Sequence, residues 1–422
     1  MKILMVGSGG REHALVRKLK ESGRVTEVIC APGNAGISRD AECFPVAAAD
    51  IQGIVALAVE QKADIVFVAP DDPLAAGMVD ALEEAGIKAY GPRAAAAEIE
   101  SSKVFSKGLM KKYGIPTADY EVFEDPQTAL LYIKSKNSYP VVVKADGLAL
   151  GKGVIIAQDY EGAEKAVISI MRDKVFGASG NKVVVEEFLT GPEVSVLSFT
   201  DGETILPMVS SMDHKKAFDG DSGPNTGGMG TISPNPFYSE EVARLCMDTI
   251  FKPTIEAMKK EGRPFKGCLY FGLMLTENGP KVIEYNARFG DPETQVVLPR
   301  LKTPLIDIVE ATIEEKLSTI NVEWFDHACA CVIMASGGYP AGYEKGYPIT
   351  GLLGDGQAPG VAVYHSGTAF DGNSFVTNGG RVLGVTATGK DLKEAIKKAY
   401  EGVASITFRN AHYRKDIGKA SL

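Results

Sequence analysis

The chain has 422 residues, enough for about two or three domains, with 45% hydrophobic and 23% charged residues. That is the balance of a soluble globular protein whose core needs no disulfide or structural metal. Its formal net charge of -9 argues against a general phosphate-backbone binder, yet leaves room for a small phosphorylated ligand held by a few amides and lysines.

Met1–Gly7 is too short an apolar run for a signal peptide, and no run approaches the ~20 residues of a membrane span. A cytoplasmic protein with no nucleic-acid or membrane partner is expected. Cys30, Cys43, Cys246, Cys268, Cys329 and Cys331 form no CxxC pair. They are expected to be free thiols, mostly buried, with Cys329 and Cys331 on one face of a strand.

The first hundred residues alternate short apolar strands with amphipathic helices. Strands are predicted over 2–7, 25–33, 64–70 and 87–92, with helices over 11–23, 51–63 and 74–86. This rhythm implies an open parallel sheet with helices on both faces, its ligands at the carboxyl ends of the strands. A helix over 101–114 follows. Then come strands typical of mixed or antiparallel sheet, over 139–147, 152–158, 182–191, 193–202 and 203–211. Residues 213–236 are polar and rich in Gly, Pro and Asn, and read as a long loop of the kind that is usually functional or disordered. A helix through Lys260, a hairpin turning at Asn278-Gly279 and a helix through Leu317 come next. From about Phe325 the pattern is that of a small α+β domain. The fold expected is α/β: an N-terminal open parallel sheet domain over 1–101, a central α+β domain over 102–324, and a small C-terminal α+β domain over 325–422.

Four stretches could carry chemistry. Gly7-Ser8-Gly9-Gly10-Arg11-Glu12-His13 joins a strand to a helix, a context suited to an anion held by amides and the helix dipole. Glu12 replaces the third glycine of a dinucleotide fingerprint, and the second strand ends without the ribose-binding acid, so phosphate binding or a plain turn is favoured over NAD. Lys144 ends an apolar strand and leads into Gly147–Gly153, which lacks the Walker A spacing. This loop could fold over a triphosphate, with Lys144 facing phosphates; the alternative is a strand-end lysine in solvent. Glu186 to Leu189 ends another strand, whose backbone could meet an adenine while Glu193 accepts ribose hydroxyls; a solvated acidic turn is the bland alternative. In Lys281–Asp291, strict alternation puts Glu284, Asn286 and Arg288 on one face and Ile283, Tyr285 and Ala287 on the other. Two oxygen donors at that spacing suit Mg²⁺, and the guanidinium could grip a carboxylate or phosphate. The bland alternative there is an exposed face with a Glu–Arg pair. The five histidines lack metal-ligand spacing.

Together GSGGREHAL, APGNAG, VVVKADGLALGKGV, DHKKAFDGDSGPNTGGMG, EYNARFGDPETQ and TNGGRVLGV resemble, in order, the phosphoribosylamine–glycine ligase (glycinamide ribonucleotide synthetase) family of the ATP-grasp superfamily. This chain has Ala69-Pro70-Asp71 where the family often has Gly-Pro-Glu, and Phe271–Met274 lacks the acid that many ATP-grasp enzymes place there. The resemblance implies a central ATP-grasp domain and an N-terminal phosphoribosyl-binding domain. It implies ATP-dependent ligation of glycine to 5-phosphoribosylamine in purine biosynthesis, through a glycyl phosphate, with Mg²⁺ or Mn²⁺. By family position Lys103, Lys144, Gly151, Lys152 and Gly153 contact the ATP phosphates, Glu186, Glu187, Phe188 and Leu189 line adenine, and Glu193 meets the ribose. Glu284 and Asn286 hold the metal. Gly9, Gly10, Arg11 and Asn34 face the phosphoribosyl group. Lys144, Asp213, Arg288 and Asp291 are the catalytic candidates, with Asp213 and Arg288 also at the glycine end. A monomer is compatible with the sequence. The alternatives are another ATP-grasp ligase or a biotin-dependent carboxylase, an NAD-dependent dehydrogenase, and a non-catalytic nucleotide binder.

Overall fold

The computed structural model describes residues 1–148 and 153–419. The expected parallel sheet is present. Its strands run Glu42–Cys43, Glu27–Pro32, Lys2–Gly7, Ile65–Val68 and Lys88–Tyr90 in spatial order, every neighbouring pair parallel. The chain leaves Lys2–Gly7 to one side first and to the other side later. The crevice at that switch falls on the loop after Gly7, where ligands of open parallel sheets bind. The helix predicted over 74–86 is broken: Asp71–Ala75 and Met78–Glu84 are separated at Gly77, whose φ of +90° ends the first turn.

Ser102 caps the next helix, Lys103–Tyr113, its Oγ accepting the Phe105 N–H at 3.0 Å. Two antiparallel four-stranded sheets follow. One is ordered Tyr120–Phe123, Val183–Glu187, Val141–Ala145, Val154–Ala157, and packs a separate small core around Val143, Val183 and Ile170. The other is ordered Ile205–Pro207, Glu193–Asp201, Lys266–Thr276, Gly279–Asn286. Phe271 and Val282 of this second sheet share one apolar core with Leu4 and Val66 of the parallel sheet.

The hairpin turns at Asn278-Gly279 as expected, but its register slips. Leu273 pairs with Val282 while Gly272 pairs with Glu284, leaving Ile283 as the extra residue of a β-bulge. Val282, Tyr285 and Ala287 therefore form the core face, and Ile283 sits at the cavity beside Glu284. Strict alternation put Ile283 with Tyr285; the bulge overturns that one assignment and keeps Glu284 and Asn286 in place.

Residues 213–236 are more ordered than a loop. They hold Lys216–Phe218 paired with Ser222–Asn225, and Gly230–Ser233, which pairs with Met212–Asp213. Gly230–Ser233 also pairs with Ala328–Ala335, so the C-terminal sheet runs Met212–Asp213, Gly230–Ser233, Ala328–Ala335, Arg381–Gly389, Ala362–His365. The late helix, Leu392–Ser405, covers it. The six cysteines are free, all buried except the half-buried Cys43, and Cys329 and Cys331 enter the same core. Among the described residues no helix is long and apolar enough to cross a membrane.

Two histidines weld the N- and C-terminal sheets. The His365 N–H donates to His13 Nδ1 at 2.9 Å, so His13 donates from Nε2 to Asp40 at 3.0 Å. His365 Nε2 donates to the Gly356 carbonyl at 2.8 Å. Burial lowers both, His365 to about 3, while Asp40 opposes the shift at His13 and Arg17 adds to it. Both rings are neutral in the fold and become charged on unfolding below about pH 6.5. Their contribution is therefore present above pH 6.5 and is lost as pH falls toward 3. Thermal midpoints measured from pH 7 to 5 should fall, and His365→Gln, less stable at pH 7, should show a shallower decline.

Candidate active site

One cavity of about 1260 Å³ is lined by both antiparallel sheets, the N-terminal loops and the C-terminal sheet. Lys103, Lys144, Gly153, Glu186 to Leu189, Glu193, Asp213, Glu284, Asn286, Arg288, Asp291 and Arg11 all line it. Gly9, Gly10 and Asn34 are not among its lining residues. Gly151 and Lys152 fall outside the described residues.

At one end Lys144 stands 2.8 Å from Glu186 Oε2 and Lys107 stands 3.1 Å from the same oxygen. All three side chains are buried, and Glu186 Oε1 has no hydrogen-bond partner among the described residues. Burial lowers Lys107 to about 8. Lys103 donates to the Gly147 carbonyl at 2.8 Å, and burial, opposed by Glu284, lowers its pKa. Gly147 has a φ of +128°, and a Cβ there would collide with the Ser179 side chain. Glu187 turns away to Lys281 at 2.8 Å. Phe188 remains partly exposed at the mouth.

In the middle lies Glu284. Lys215 is 3.3 Å from its Oε1 and 3.3 Å from Glu193 Oε2. Lys215 is the main cause that lowers Glu284 to about 2; burial opposes it, and Lys144 and Lys103 reinforce it. Arg288 does not pair with Glu284. Its Nη2 lies 2.9 Å from Glu100 and 3.7 Å from Asp71, and donates to Asn286 Oδ1 at 3.1 Å. Burial raises Glu100 to about 7, and this carboxylate also accepts the Ala287 N–H at 2.6 Å. Glu284 and Asn286 offer a carboxylate and an amide oxygen on one strand. Among the described residues no group of three or more His, Cys, Asp or Glu is placed to hold a metal ion. That sparse, hard donor set fits Mg²⁺, which keeps several waters and takes phosphate oxygens.

At the far end Asp213 and Glu293 are both raised by burial, Asp213 further by Glu293. Ser195 Oγ, within 2.8 Å of the Tyr270 hydroxyl, lies 3.4 Å from Glu293 Oε1. Asp291 accepts from Gln295 at 2.8 Å and from the Arg11 N–H at 3.3 Å; burial acts against its charge, and Arg381 and Arg11 outweigh burial. Arg381 donates to the Gly227 and Asp291 carbonyls, at 2.6 and 2.7 Å.

The glycine loop differs in detail from a simple anion cradle. The Gly9 N–H is taken by Glu12 Oε2 at 2.6 Å, and Arg11 Nε by Glu12 Oε1 at 2.6 Å. A carboxylate thus occupies part of what a pyrophosphate would need, which removes the dinucleotide alternative. Asn34 bridges loops: its amide donates to Ser8, His365 and Ser366 carbonyls while its oxygen accepts the Gly36 and Ile37 amides.

Glu100, Lys107, Lys215, Glu293 and Arg381 were absent from the sequence candidates. Lys215, Glu293 and Arg381 lie inside quoted motifs without an assigned role. Glu100 ends an alanine-rich helix and Lys107 sits within an ordinary amphipathic one, so only the tertiary fold reveals them.

Two antiparallel sheets lining one cavity, with Lys144 on one of them beside Lys103 and Lys107 of the adjoining helix and an oxygen-donor strand on the other, define the class: an ATP-grasp fold. A biotin carboxylase from Campylobacter jejuni shares this fold, with a TM-score of 0.73 at 17% identity over 97% of this chain and 92% of that one. More specifically, residues 1–100, 101–294 and 329–420 match the N, ATP-grasp (A) and C domains of phosphoribosylglycinamide synthetase, and the chain belongs to that family. It is 49% identical over 417 residues to the phosphoribosylamine–glycine ligase of Caldanaerobacter subterraneus subsp. tengcongensis, covering 99% of both chains. It is 47% identical over 420 residues to the human trifunctional purine biosynthetic protein adenosine-3, spanning 42% of it. The crystal structure of phosphoribosylamine–glycine ligase from Thermotoga maritima superposes with a TM-score of 0.86 at 34% identity, over 99% of this chain and 100% of that one.

Proposed function

We propose that the chain joins glycine to 5-phosphoribosylamine with ATP, giving glycinamide ribonucleotide, ADP and phosphate. The observation that carries this is one continuous cavity. It sets the paired lysines, the Glu284–Asn286 strand, and the Asp213, Arg288 and Asp291 end in a single space beside the Gly7–Arg11 loop.

Glycine's carboxylate attacks the γ-phosphorus and ADP leaves. The sugar's amine then attacks the acyl carbon of glycyl phosphate; phosphate leaves and the amine loses a proton. Little covalent work falls to the protein, so positioning and charge neutralisation dominate. Lys103 and Lys144 grip the phosphates, with Gly147–Gly153 as a lid that excludes water. Glu186 to Leu189 line adenine and Glu193 takes the ribose. Glu284 and Asn286 would hold Mg²⁺ or Mn²⁺, which supplies charge neutralisation between phosphates. Arg288, oriented by Glu100, receives glycine's carboxylate. Asp213 and Glu293 are two carboxyls that gain from an arriving ammonium, so they suit glycine's amino group. Arg11 and Asp291 serve the sugar end, with Gly9, Gly10 and Asn34 shaping the loop. We place the protein in the cytoplasm, where free thiols persist.

ADP formation should require both glycine and freshly made phosphoribosylamine. Equal turnover with bicarbonate replacing glycine would instead make it a carboxylase. With both carboxylate oxygens of glycine ¹⁸O-labelled, label should reach the released phosphate. Unlabelled phosphate beside labelled product would remove the acyl phosphate.

A further inference from the structure

Cys30 and Cys43 have no part in the reaction above, yet they meet beneath the loops of the sugar end. Cys30 lies on the strand Glu27–Pro32 and Cys43 on the two-residue strand Glu42–Cys43, and the two are register partners in the parallel sheet. Both side chains pack on the core that holds Met5 and Leu15, so they leave the sheet on the same face. Neighbouring strands lie about 4.8 Å apart, which puts the two Cα atoms inside the roughly 4.4–6.8 Å span that a disulfide accepts.

Both sulfurs are tied to those loops. Cys30 Sγ donates to the Gly7 carbonyl at 3.4 Å, and the same carbonyl accepts the Gly33 N–H at 3.0 Å. Cys43 Sγ donates to the Ala41 carbonyl at 3.7 Å and packs against Gly33, where a Cβ would collide with it. Gly7 leads into Gly9–Arg11, and Gly33 leads into Asn34. The two thiols differ in reach and in acidity. Cys43 is half-buried on the edge strand of the sheet, while Cys30 is buried. The Cys30 thiol lowers Cys43, with burial opposing, whereas Cys43 and then burial raise Cys30. Cys43 is therefore the thiol that offers a nucleophilic thiolate to a solute. The other four cysteines are buried, and burial pushes their thiols up, Cys246 to about 11 and Cys331 to about 12.

We infer that Cys30 and Cys43 form a reversible disulfide when the protein meets a peroxide, and that the bond weakens binding at the phosphoribosyl end. The Cys43 thiolate attacks one oxygen of hydrogen peroxide; the O–O bond breaks, hydroxide leaves and a sulfenic acid remains. The Cys30 sulfur then attacks the Cys43 sulfur, the S–O bond breaks, and the hydroxyl leaves with the Cys30 proton as water. The two sulfurs give up two electrons in all, and the peroxide takes them. The bond removes the S–H that holds the Gly7 carbonyl. It also draws the short edge strand toward Cys30, so the sulfur packed under Gly33 moves. A dithiol reverses the bond by exchange. The effect on the sugar end rests on the proposed ligase reaction; the bond itself does not.

The test treats the full chain with hydrogen peroxide, alkylates the remaining thiols and maps linked peptides by mass spectrometry, alongside steady-state rates. A Cys30–Cys43 link should form, two hydrogens lighter than the separate peptides, and dithiothreitol should remove it. The oxidised chain should show a KM for phosphoribosylamine raised about tenfold, with the KM for ATP unchanged, because a small misplacement of a binding loop is felt at that order. Cys30→Ser and Cys43→Ser, checked for parental thermal midpoints, should keep their KM under peroxide. If the parent's two thiols stay unlinked, or Cys43 runs on to the sulfinic acid, the disulfide is overturned, and that result needs neither a variant nor an activity assay. A link that leaves the KM for phosphoribosylamine unchanged, or a rise that persists in Cys43→Ser, overturns the effect on the sugar end. A reduced chain that makes no glycinamide ribonucleotide fails the ligase reading and that effect together, while the mass of the linked peptides still decides the bond.

Discussion

Glu284→Gln is expected to fold like the parent and turn over at least about 10²-fold more slowly. Glutamine keeps the shape and one carbonyl oxygen but removes the charge. The structure shows what that charge does. Lys215 sits 3.3 Å away, and Lys144 and Lys103 add to the field that lowers Glu284 to about 2. Taking the carboxylate away leaves three ammonium groups without their shared counter-ion and leaves Mg²⁺ with an amide where it prefers a carboxylate. Mg·ATP should bind more weakly, and raising Mg²⁺ should restore part of the rate. Initial rates across a Mg²⁺ series, with thermal midpoints to confirm folding, check this. A parental rate with unchanged Mg²⁺ dependence would reduce Glu284 to an ion-pair partner of Lys215, worth under ~1 kcal/mol.

The Glu284 site was legible because its signal is local. Glu284 and Asn286 lie two apart on a strand whose partner is the preceding one, joined at Asn278-Gly279. The parallel sheet was legible for a related reason: continuous apolar strands and amphipathic helices alternate at short range. The bulge at Ile283 escaped because a register slip depends on the facing strand, here on Gly272. Of the strands within 212–233, Gly230–Ser233 escaped because its partner, Ala328–Ala335, lies about a hundred residues downstream, while Lys216–Phe218 and Ser222–Asn225 pair only with each other. Locally they are Gly-, Pro- and Asn-rich and carry no strand pattern.

The same distinction separates the site residues. Lys144 at a strand end and the Glu284–Asn286 pair follow from local pattern. The pairings do not. Arg288 was expected to be available for a carboxylate or phosphate of a ligand, with a Glu284 pair as the bland alternative, and it turns to Glu100, 188 residues earlier in the chain. The Gly9 amide was expected to be open to a phosphate, and Glu12 reaches back to it. That reach is a capping contact at the start of the Gly10–Lys20 helix, a helix-end preference that competes with anion binding at the same amide. Sequence spacing shows which groups are near; burial and tertiary contact decide which neighbour each charge takes.

Glu186→Ala should produce the largest loss of stability of any single change at the site. Glu186 Oε2 is the shared acceptor for Lys144 at 2.8 Å and Lys107 at 3.1 Å, and all three side chains are buried. Removing one partner of a buried ion pair costs about 3–5 kcal/mol, because the remaining charge is stranded. Here two ammonium groups are stranded together. Lys107 keeps the Thr117 hydroxyl at 2.8 Å, and Lys144 keeps the Ile283 carbonyl at 3.2 Å, which soften the loss without neutralising either charge. The pH dependence identifies the cause. Burial already lowers Lys107 from 10.5 to about 8, with Glu186 opposing that shift. Without Glu186 the folded-state value falls further. The folded variant then sheds its proton at a pH where the unfolded chain still holds one, so stability rises with pH from below 8 up to about 10.5. The parent sheds the same proton from about 8, so the deficit relative to it should be greatest below pH 7, shrink as pH rises to about 8, and level off above that. Glu186→Gln, which keeps an oxygen for both lysines, should lose less at every pH. Thermal midpoints of parent, Ala and Gln variants from pH 5 to 9 give the result. A deficit constant across that range would assign the loss to packing around Val143 and Val185 rather than to stranded charge.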